Sequence, residues 1–237
     1  MASCRRLEAR PMHVVMLAYP DMTQLDLTGP LEVFTRFKEV TVDLAWKNRA
    51  PIKAGSVLEI VPTVSFAECR QGDILFVPGG PGQVSLMEDR ETLGFLRKQA
   101  EHSRYVTSVC TGSLILAAAG LLTGYRATCH WLSLNQLSYF DVEPVSERVV
   151  IDRNRVTGAG VTSGIDFALT LSAEIFGEAR TRRAQLSMEY DPRPPFPGGS
   201  PATSDPATIE SLRDLMAPFQ RDREAVAARA AKAVRES

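Results

Sequence analysis

Cysteine and histidine are scarce in this chain, with four and three among 237 residues. Cys4, Cys69, Cys110 and Cys129 form no Cys-x-x-Cys pair and have no histidine pair nearby at zinc spacing. Cys129 and His130 are adjacent, but two residues do not complete a metal site, so no metal is expected. Such thin cysteine usage excludes a disulfide scaffold and suits a reducing compartment, with a cytoplasmic location as the expectation. An excess of either charge is also missing. Lys plus Arg total 27 and Asp plus Glu 28, a net charge of −1, which leaves no electrostatic footprint for nucleic acid or an anionic membrane. The opening MASCRRLEARPMH lacks an apolar core and is not read as a secretory signal. Residues 1–11 are expected to be a disordered extension, with the fold starting at Met12.

Charged residues are absent from one long run, Val106 to Tyr125, which reaches membrane-span length. Its threonines, serines and glycines, and its β-like first part, argue instead for a buried strand, a sharp turn and a buried helix. What remains is ordinary for a globular protein: 44 % apolar and 23 % charged residues, enough chain for one large domain or two small ones.

Short apolar runs alternate with helical patterns. HVVMLAY (13–19) reads as a parallel strand covered on both faces. Asp21 to Thr23 reads as loop, and Gly29-Pro30 places a proline where a helix starts into LEVFTRF. TVDLAWK (41–47) is the next strand, and 57–64 a further piece, parallel or antiparallel. DILFVPGGPG (73–82) runs from a strand straight into a glycine-rich turn. A surface helix GFLRKQAEH precedes the strand RYVTSV (104–109), and a helix over 111–122 follows at once. HWLSLNQL (130–137) reads as a short helix, and 148–160 as a hairpin turning at 152–154. IDFALTLSAEIFG (165–177) is apolar nearly all round and is expected to be a central buried helix ending at Gly177. The proline- and glycine-rich segment 193–206 reads as extended chain. Residues 206–237 read as a terminal helix, docked at its start and frayed at its end, on the α/β domain 12–205 or on a dimer. The alternation implies a doubly wound, flavodoxin-like α/β fold with a mostly parallel sheet and helices on both faces.

In such folds functional groups collect at the carboxyl ends of strands, where two turns stand out. Cys110 lies between strand and helix, so its sulfur sits near free helix N–H groups that favour an anion. Gly112 and Ser113 supply the small neighbours that an elbow of this kind needs. A buried structural cysteine is the competing reading. The turn at 78–82 offers backbone N–H groups for a developing negative charge, or is simply a tight turn. Asp26, between Leu25 and Leu27, is expected to be partly buried with a raised pKa; an N-cap role, which Thr28 could fill equally, is the alternative. His130 and Trp131 are candidate pocket residues, although a packed aromatic beside a satisfied imidazole is the favoured reading.

Taken together, the stretches QLDLTGP, LFVPGGPG, LMED, RYVTSVCTGSLILAAAGLLTG, RATCHW, ERVV, VTSGIDFALTL, QLSMEY and PPFPGGSP resemble the DJ/PfpI/ThiJ superfamily. Within it they are similar to the isocyanide (isonitrile) hydratases. The similarity runs from about Met12 to Pro201. It implies a cofactor-free homodimeric hydro-lyase that adds water to a small-molecule isocyanide, giving an N-substituted formamide. It places the nucleophile on Cys110, the acid/base on Asp26 and a supporting hydroxyl on Thr111. Gly79 and Gly80, with His130 and Trp131, fall at substrate-binding positions. Asp26 stands where many members carry Glu, which weakens a glyoxalase or deglycase reading. Thr111 stands where the protease-like branch has His, which argues against a peptidase. A non-catalytic cysteine redox sensor is a further alternative. A transcription regulator is disfavoured, because the 31 residues after Pro206 are too few for a helix-turn-helix unit.

Overall fold

The computed structural model describes residues 11–55 and 57–236; the extension expected over 1–11 therefore lies almost wholly outside the described residues. The strands are β1 (Met12–Leu17), β2 (Val40–Trp46), β3 (Ile52–Ala54), β4 (Leu58–Ile60), β5 (Val64–Ser65), β6 (Ile74–Val77), β7 (Tyr105–Val109), β8 (Arg126–Ala127), β9 (Glu143–Pro144), β10 (Val149–Asp152) and β11 (Arg155–Gly158). The helices are α1 (Gln24–Phe34), α2 (Gln83–Leu86), α3 (Arg90–Ala100), α4 (Gly112–Ala118), α5 (Ser163–Phe176), α6 (Glu178–Ser187) and α7 (Pro206–Arg235). A 3-10 helix spans Trp131–Phe140.

Seven strands form the main sheet in the order β10-β11-β7-β6-β1-β2-β5. All its pairings are parallel except β10 with β11. This is the flavodoxin-like α/β sheet that the alternating pattern implies. Strands β1, β6 and β7 are buried at every residue, as expected of central strands with helices on both faces. Connections leave β1 in opposite directions, towards β2 on one side and β6 on the other. That reversal opens a crevice beyond the carboxyl ends of β1 and β6. Residues 57–64 contribute β4, which pairs antiparallel with β3, and the start of β5, which adds to the sheet edge. The uncharged run 106–125 is β7, a turn and α4, and no helix among the described residues is long and apolar enough to cross a membrane.

Several elements depart from the sequence reading. Helix α1 begins at Gln24, so Pro30 lies inside it rather than at its start. Burial of Asp26 and Leu27 draws the chain into the helix a turn early, against the usual cost of an interior proline. The Pro30 ring packs where a Cβ on Gly164 of α5 would come within 3.1 Å of it. Helix α4 stops at Ala118, and Gly120 turns the chain at φ +75°. Residues 131–140 form a 3-10 helix instead of an ordinary one. Helix α5 buries one face; Thr170, Ala173 and Glu174 retain solvent contact, so it flanks the sheet rather than running through the centre.

The largest difference concerns α7. Its first part is mostly exposed, with Leu215 at 74 % exposure, and its second half is the part that docks. Arg223, Ala227, Ala230 and Ala231 are buried, and the three alanines form a helical stripe of small residues. That stripe lets the helix approach α4 and the 3-10 helix closely. Ala227→Leu is expected to destabilise by about 1–3 kcal/mol through overpacking. The same change at exposed Ala207 should stay within about 0.5 kcal/mol. Paired urea melts of the two variants test which half is docked.

Candidate active site

Strand β7 ends at Val109, and the next residue turns the chain sharply. Cys110 has φ +57°, a region that non-glycine residues enter at a cost of about 1–3 kcal/mol. The surroundings hold it there. Its N–H is shared between the carbonyls of Gly158 (3.0 Å) and Ala159 (2.9 Å) at the end of β11. Gly112 permits the tight passage into α4, because a Cβ there would stand 2.2 Å from the Val77 carbonyl oxygen. The sulfur is thus fixed at the mouth of the crevice, and Cys110 is 5 % exposed.

Asp26 reaches the same point from α1. It is fully buried, more deeply than its flanking leucines imply. Oδ2 accepts the Gly79 N–H at 3.0 Å. Oδ1 is buried with no hydrogen-bond partner of ordinary length, and the Cys110 thiol faces the carboxyl. Thr111 is the N-terminal boundary residue of α4 but does not cap it. Its Oγ1 accepts the Gly80 N–H at 3.1 Å instead. The two glycine amides therefore hold the carboxyl and the hydroxyl, rather than pointing at a developing negative charge as the turn alone suggested. A Cβ on Gly79 would lie 2.5 Å from the Thr111 nitrogen and 2.9 Å from the Cys110 Cβ. Gly80, at φ +131°, packs against the Thr23 backbone. Both positions exclude any side chain.

Backbone N–H groups of Thr111 and Val161 serve the sulfur, and Val161 was not visible in the motif. Burial nevertheless dominates. It pushes the Cys110 thiol well above its ordinary pKa, and the Asp26 charge adds to the rise. The helix end does not by itself hold a thiolate, contrary to the expectation from position alone. Burial likewise raises the Asp26 carboxyl to about 7, against weaker downward pulls from Cys110 and the Gly79 N–H. The two groups face each other in a dry site, so the pair near neutrality holds at most one negative charge, which rests on the more easily ionised carboxyl.

His130 and Trp131 stand beside this centre. The His130 ring covers Gly160, where a Cβ would come within 2.8 Å of Cδ2. Its Nδ1 accepts the Leu132 N–H at 3.3 Å, and burial lowers its pKa. It is a neutral, satisfied imidazole that caps the 3-10 helix. Trp131 stacks beside it and receives the Arg213 guanidinium over its outer face. One group near the site had no signal in the motifs: Tyr19, whose hydroxyl donates to the Pro78 carbonyl at 2.9 Å.

Family comparison agrees with this arrangement. The DJ-1/PfpI family model matches residues 12–174. The chain belongs to the DJ-1/PfpI family. It is 46 % identical over 220 residues to a protein of Pseudomonas putida named isonitrile hydratase, covering 93 % of this chain and 96 % of that one. The crystal structure of a ThiJ/PfpI family protein from Pseudomonas syringae superposes with a TM-score of 0.89 at 42 % identity, covering 92 % of this chain and 91 % of that one. A glutathione-independent glyoxalase from Caenorhabditis elegans is 24 % identical, over 74 % of this chain and 94 % of its own.

The raised carboxyl has a consequence for stability. Unfolding returns Asp26 to an ordinary pKa near 3.8, below its folded value of about 7. Its contribution is therefore fully present below the lower value and is lost as pH rises through the upper one. Asp26→Asn removes that loss. Its melting temperature relative to wild type should climb by several degrees from about pH 4.5 to pH 8. A difference that stays constant across this range would contradict the buried carboxyl.

Proposed function

We propose that the protein is an isonitrile hydratase, converting R–N≡C and water to R–NH–CHO, with Cys110 as nucleophile and Asp26 as acid and base. The observation that carries this reading is the meeting of a buried thiol and a buried carboxyl with pKa near 7, in a chain 46 % identical to an enzyme named for that reaction.

The substrate explains why two such groups belong together. The terminal carbon of an isocyanide accepts both a nucleophile and a proton, so thiol and acid must address one atom. Asp26 takes the Cys110 proton, and the thiolate forms a C–S bond to that carbon. Asp26 then returns the proton to the same carbon, leaving a thioimidate, R–N=CH–S. Oδ1, which has no other partner, is the oxygen free to carry this proton. Water next attacks the carbon while Asp26 accepts its proton and passes it to nitrogen. Collapse breaks the C–S bond, releases the formamide and returns the hydroxyl proton to sulfur. Atoms and charge balance without a cofactor. The Thr111 hydroxyl, tied to the Gly80 amide, orients the attacking water. Gly79 and Gly80 hold the machinery from behind, and His130 and Trp131 form the wall that meets the R group.

The α/β unit 12–205 carries this chemistry, and helix α7 closes one side of it. The protein works as a homodimer in the cytoplasm. Support for the dimer comes from the family likeness and from the exposed apolar side chains Leu186 and Phe196, at 81 % and 78 % exposure. Support for the compartment comes from the need for a reduced nucleophile; the three described cysteines are free thiols.

Purified protein should release the formamide from a simple alkyl isocyanide and leave methylglyoxal unchanged. Cys110→Ala should abolish turnover, and Asp26→Asn should slow it by about 10²-fold or more while the fold persists. Methylglyoxal turnover without hydration would replace this reading with the glyoxalase one. Asp26→Asn hydrating within about threefold of wild type would remove the proton role. Light scattering at micromolar concentration is expected to give twice the chain mass.

A further inference from the structure

Three of the stretches that carry the family resemblance contribute no reacting group: ERVV (147–150), VTSGIDFALTL (161–171) and QLSMEY (185–190). They belong to a strand edge, a helix start and a helix end, yet one polar side chain from each meets the others. Arg148 stands just before β10, and its Nε donates to Asp166 Oδ2. Asp166 lies in the first turn of α5, and its Oδ1 accepts the Tyr190 hydroxyl at 3.1 Å. A turn after α6 brings Tyr190 back over α5. Glu189 takes φ +50° there, and the Gln185 carbonyl and side-chain amide bond to the Tyr190 N–H and carbonyl, both at 3.2 Å. Burial and the Asp166 charge hold the Tyr190 phenol above its ordinary pKa, so it stays a donor.

Stability does not account for this convergence. The Arg148 side chain is 53 % exposed and that of Asp166 30 %, and an ion pair so placed adds little to folding. Its location is more telling. Arg148 grips the bend from β11 into α5 twice. Its backbone carbonyl accepts the Ala159 N–H at 2.9 Å, where the bend begins. Its side chain holds Asp166, where the first turn of α5 closes. Between these two points lie both groups that fix the nucleophile. The Ala159 carbonyl accepts the Cys110 N–H at 2.9 Å, and the Val161 N–H serves the sulfur. Cys110 keeps its φ of +57° only while such partners stay in place.

We propose that Arg148, Asp166 and Tyr190 are positioning residues for the reaction: they form a buckle that fixes the 159–166 bend and, through it, the Cys110 sulfur. None of the three touches a reacting atom. Arg148 ties the end of the hairpin to α5, and Tyr190 occupies the second carboxylate oxygen, so Asp166 stays turned toward the guanidinium. A displacement of about 1 Å at a reacting centre can cost about 10²-fold in rate. The bend is also held by its own backbone bonds, Ser163 N–H to Gly160 and Gly164 N–H to Val161, so opening the buckle costs less than that. This deepens the hydration reading, on which only the kinetic arm of the test rests.

The test compares Arg148→Met and Asp166→Asn with the double variant. Tyr190→Phe, which removes one hydroxyl, serves where Asp166→Asn does not fold. Arg182→Met is the control, since it breaks a more exposed pair to Glu178 on α6. Iodoacetamide alkylation of Cys110 is read by peptide mapping over a pH series. Each single variant should weaken the Val161 contact to sulfur and move the apparent pKa of alkylation up by about one unit. Melting temperatures should move by no more than about 4 °C. With an alkyl isocyanide, kcat should fall about tenfold at little-changed KM. The double variant should match the singles, because either substitution opens the same buckle. Arg182→Met should follow wild type in every arm. Single-variant alkylation profiles that superpose on wild type overturn the proposal. So do effects that add in the double variant, because the residues would then act separately, and so does an equal shift in Arg182→Met. A shifted profile in a protein that hydrates no isocyanide upholds the buckle and fails the hydration reading. Hydration with unshifted profiles fails the buckle alone.

Discussion

Everything at the site depends on keeping the Asp26 carboxyl dry. A carboxylate on the surface would ionise near its ordinary pKa and could not donate a proton at neutral pH. Inside, with one hydrogen bond from Gly79 and a thiol facing it, its proton affinity comes close to neutrality. That single constraint explains several local oddities. Helix α1 starts early enough to bury residue 26, although this leaves Pro30 in its interior. The turn after β6 carries consecutive glycines because any Cβ there would strike Thr111, Cys110 or the Thr23 backbone. Cys110 accepts a strained backbone so that its sulfur looks at the carboxyl across the ends of β1, β6 and β7.

The strained elbow and the buried acid are complementary in their costs. A thiol buried this deeply resists ionisation, and so does the carboxylate beside it. Neither group is activated in isolation. Because both are penalised, moving a proton between them changes the number of buried charges by nothing. Transfer within the pair is then far easier than release of a proton to water. The backbone amides of Thr111 and Val161 favour sulfur as the place where charge rests, and the Gly79 amide favours oxygen. Burial outweighs both, so the carboxyl is the easier group to ionise, and its value of about 7 suits an acid that must both take and return one proton.

The central fold was legible because its signals are local and periodic. Continuous apolar runs marked β1, β6 and β7, and the absence of a loop after Val109 marked the elbow. Asp26 and Cys110 were readable from type and neighbours, although the degree of burial was not. The misread features are those decided by distant contacts. Pro30 looked like a helix start because the sequence does not show that Gly164 leaves room for its ring. The amides of the glycine turn looked free because their acceptors, Asp26 and Thr111, come from two other elements. The terminal helix looked docked at its start, where leucines lie, yet its alanine stripe makes the contact and the leucines face outward. Small residues carry little hydrophobic signal, but they decide how closely two helices approach.

Arg223 shows the same limit from the functional side. In sequence it is one arginine in a charge-balanced helix, with acidic neighbours at Asp222 and Glu224 that make a surface ion pair the natural expectation. The fold separates it from both. Asp222 stays on the exposed side of α7, Glu224 bonds to Tyr139, and the guanidinium turns inward against Ser133. The strand-to-helix elbow sets where the sulfur stands, but burial alone leaves that sulfur too reluctant to ionise. The buried carboxyl facing it is the easier of the two groups to ionise. Position is thus governed by the elbow, and protonation by the dry surroundings that both groups share.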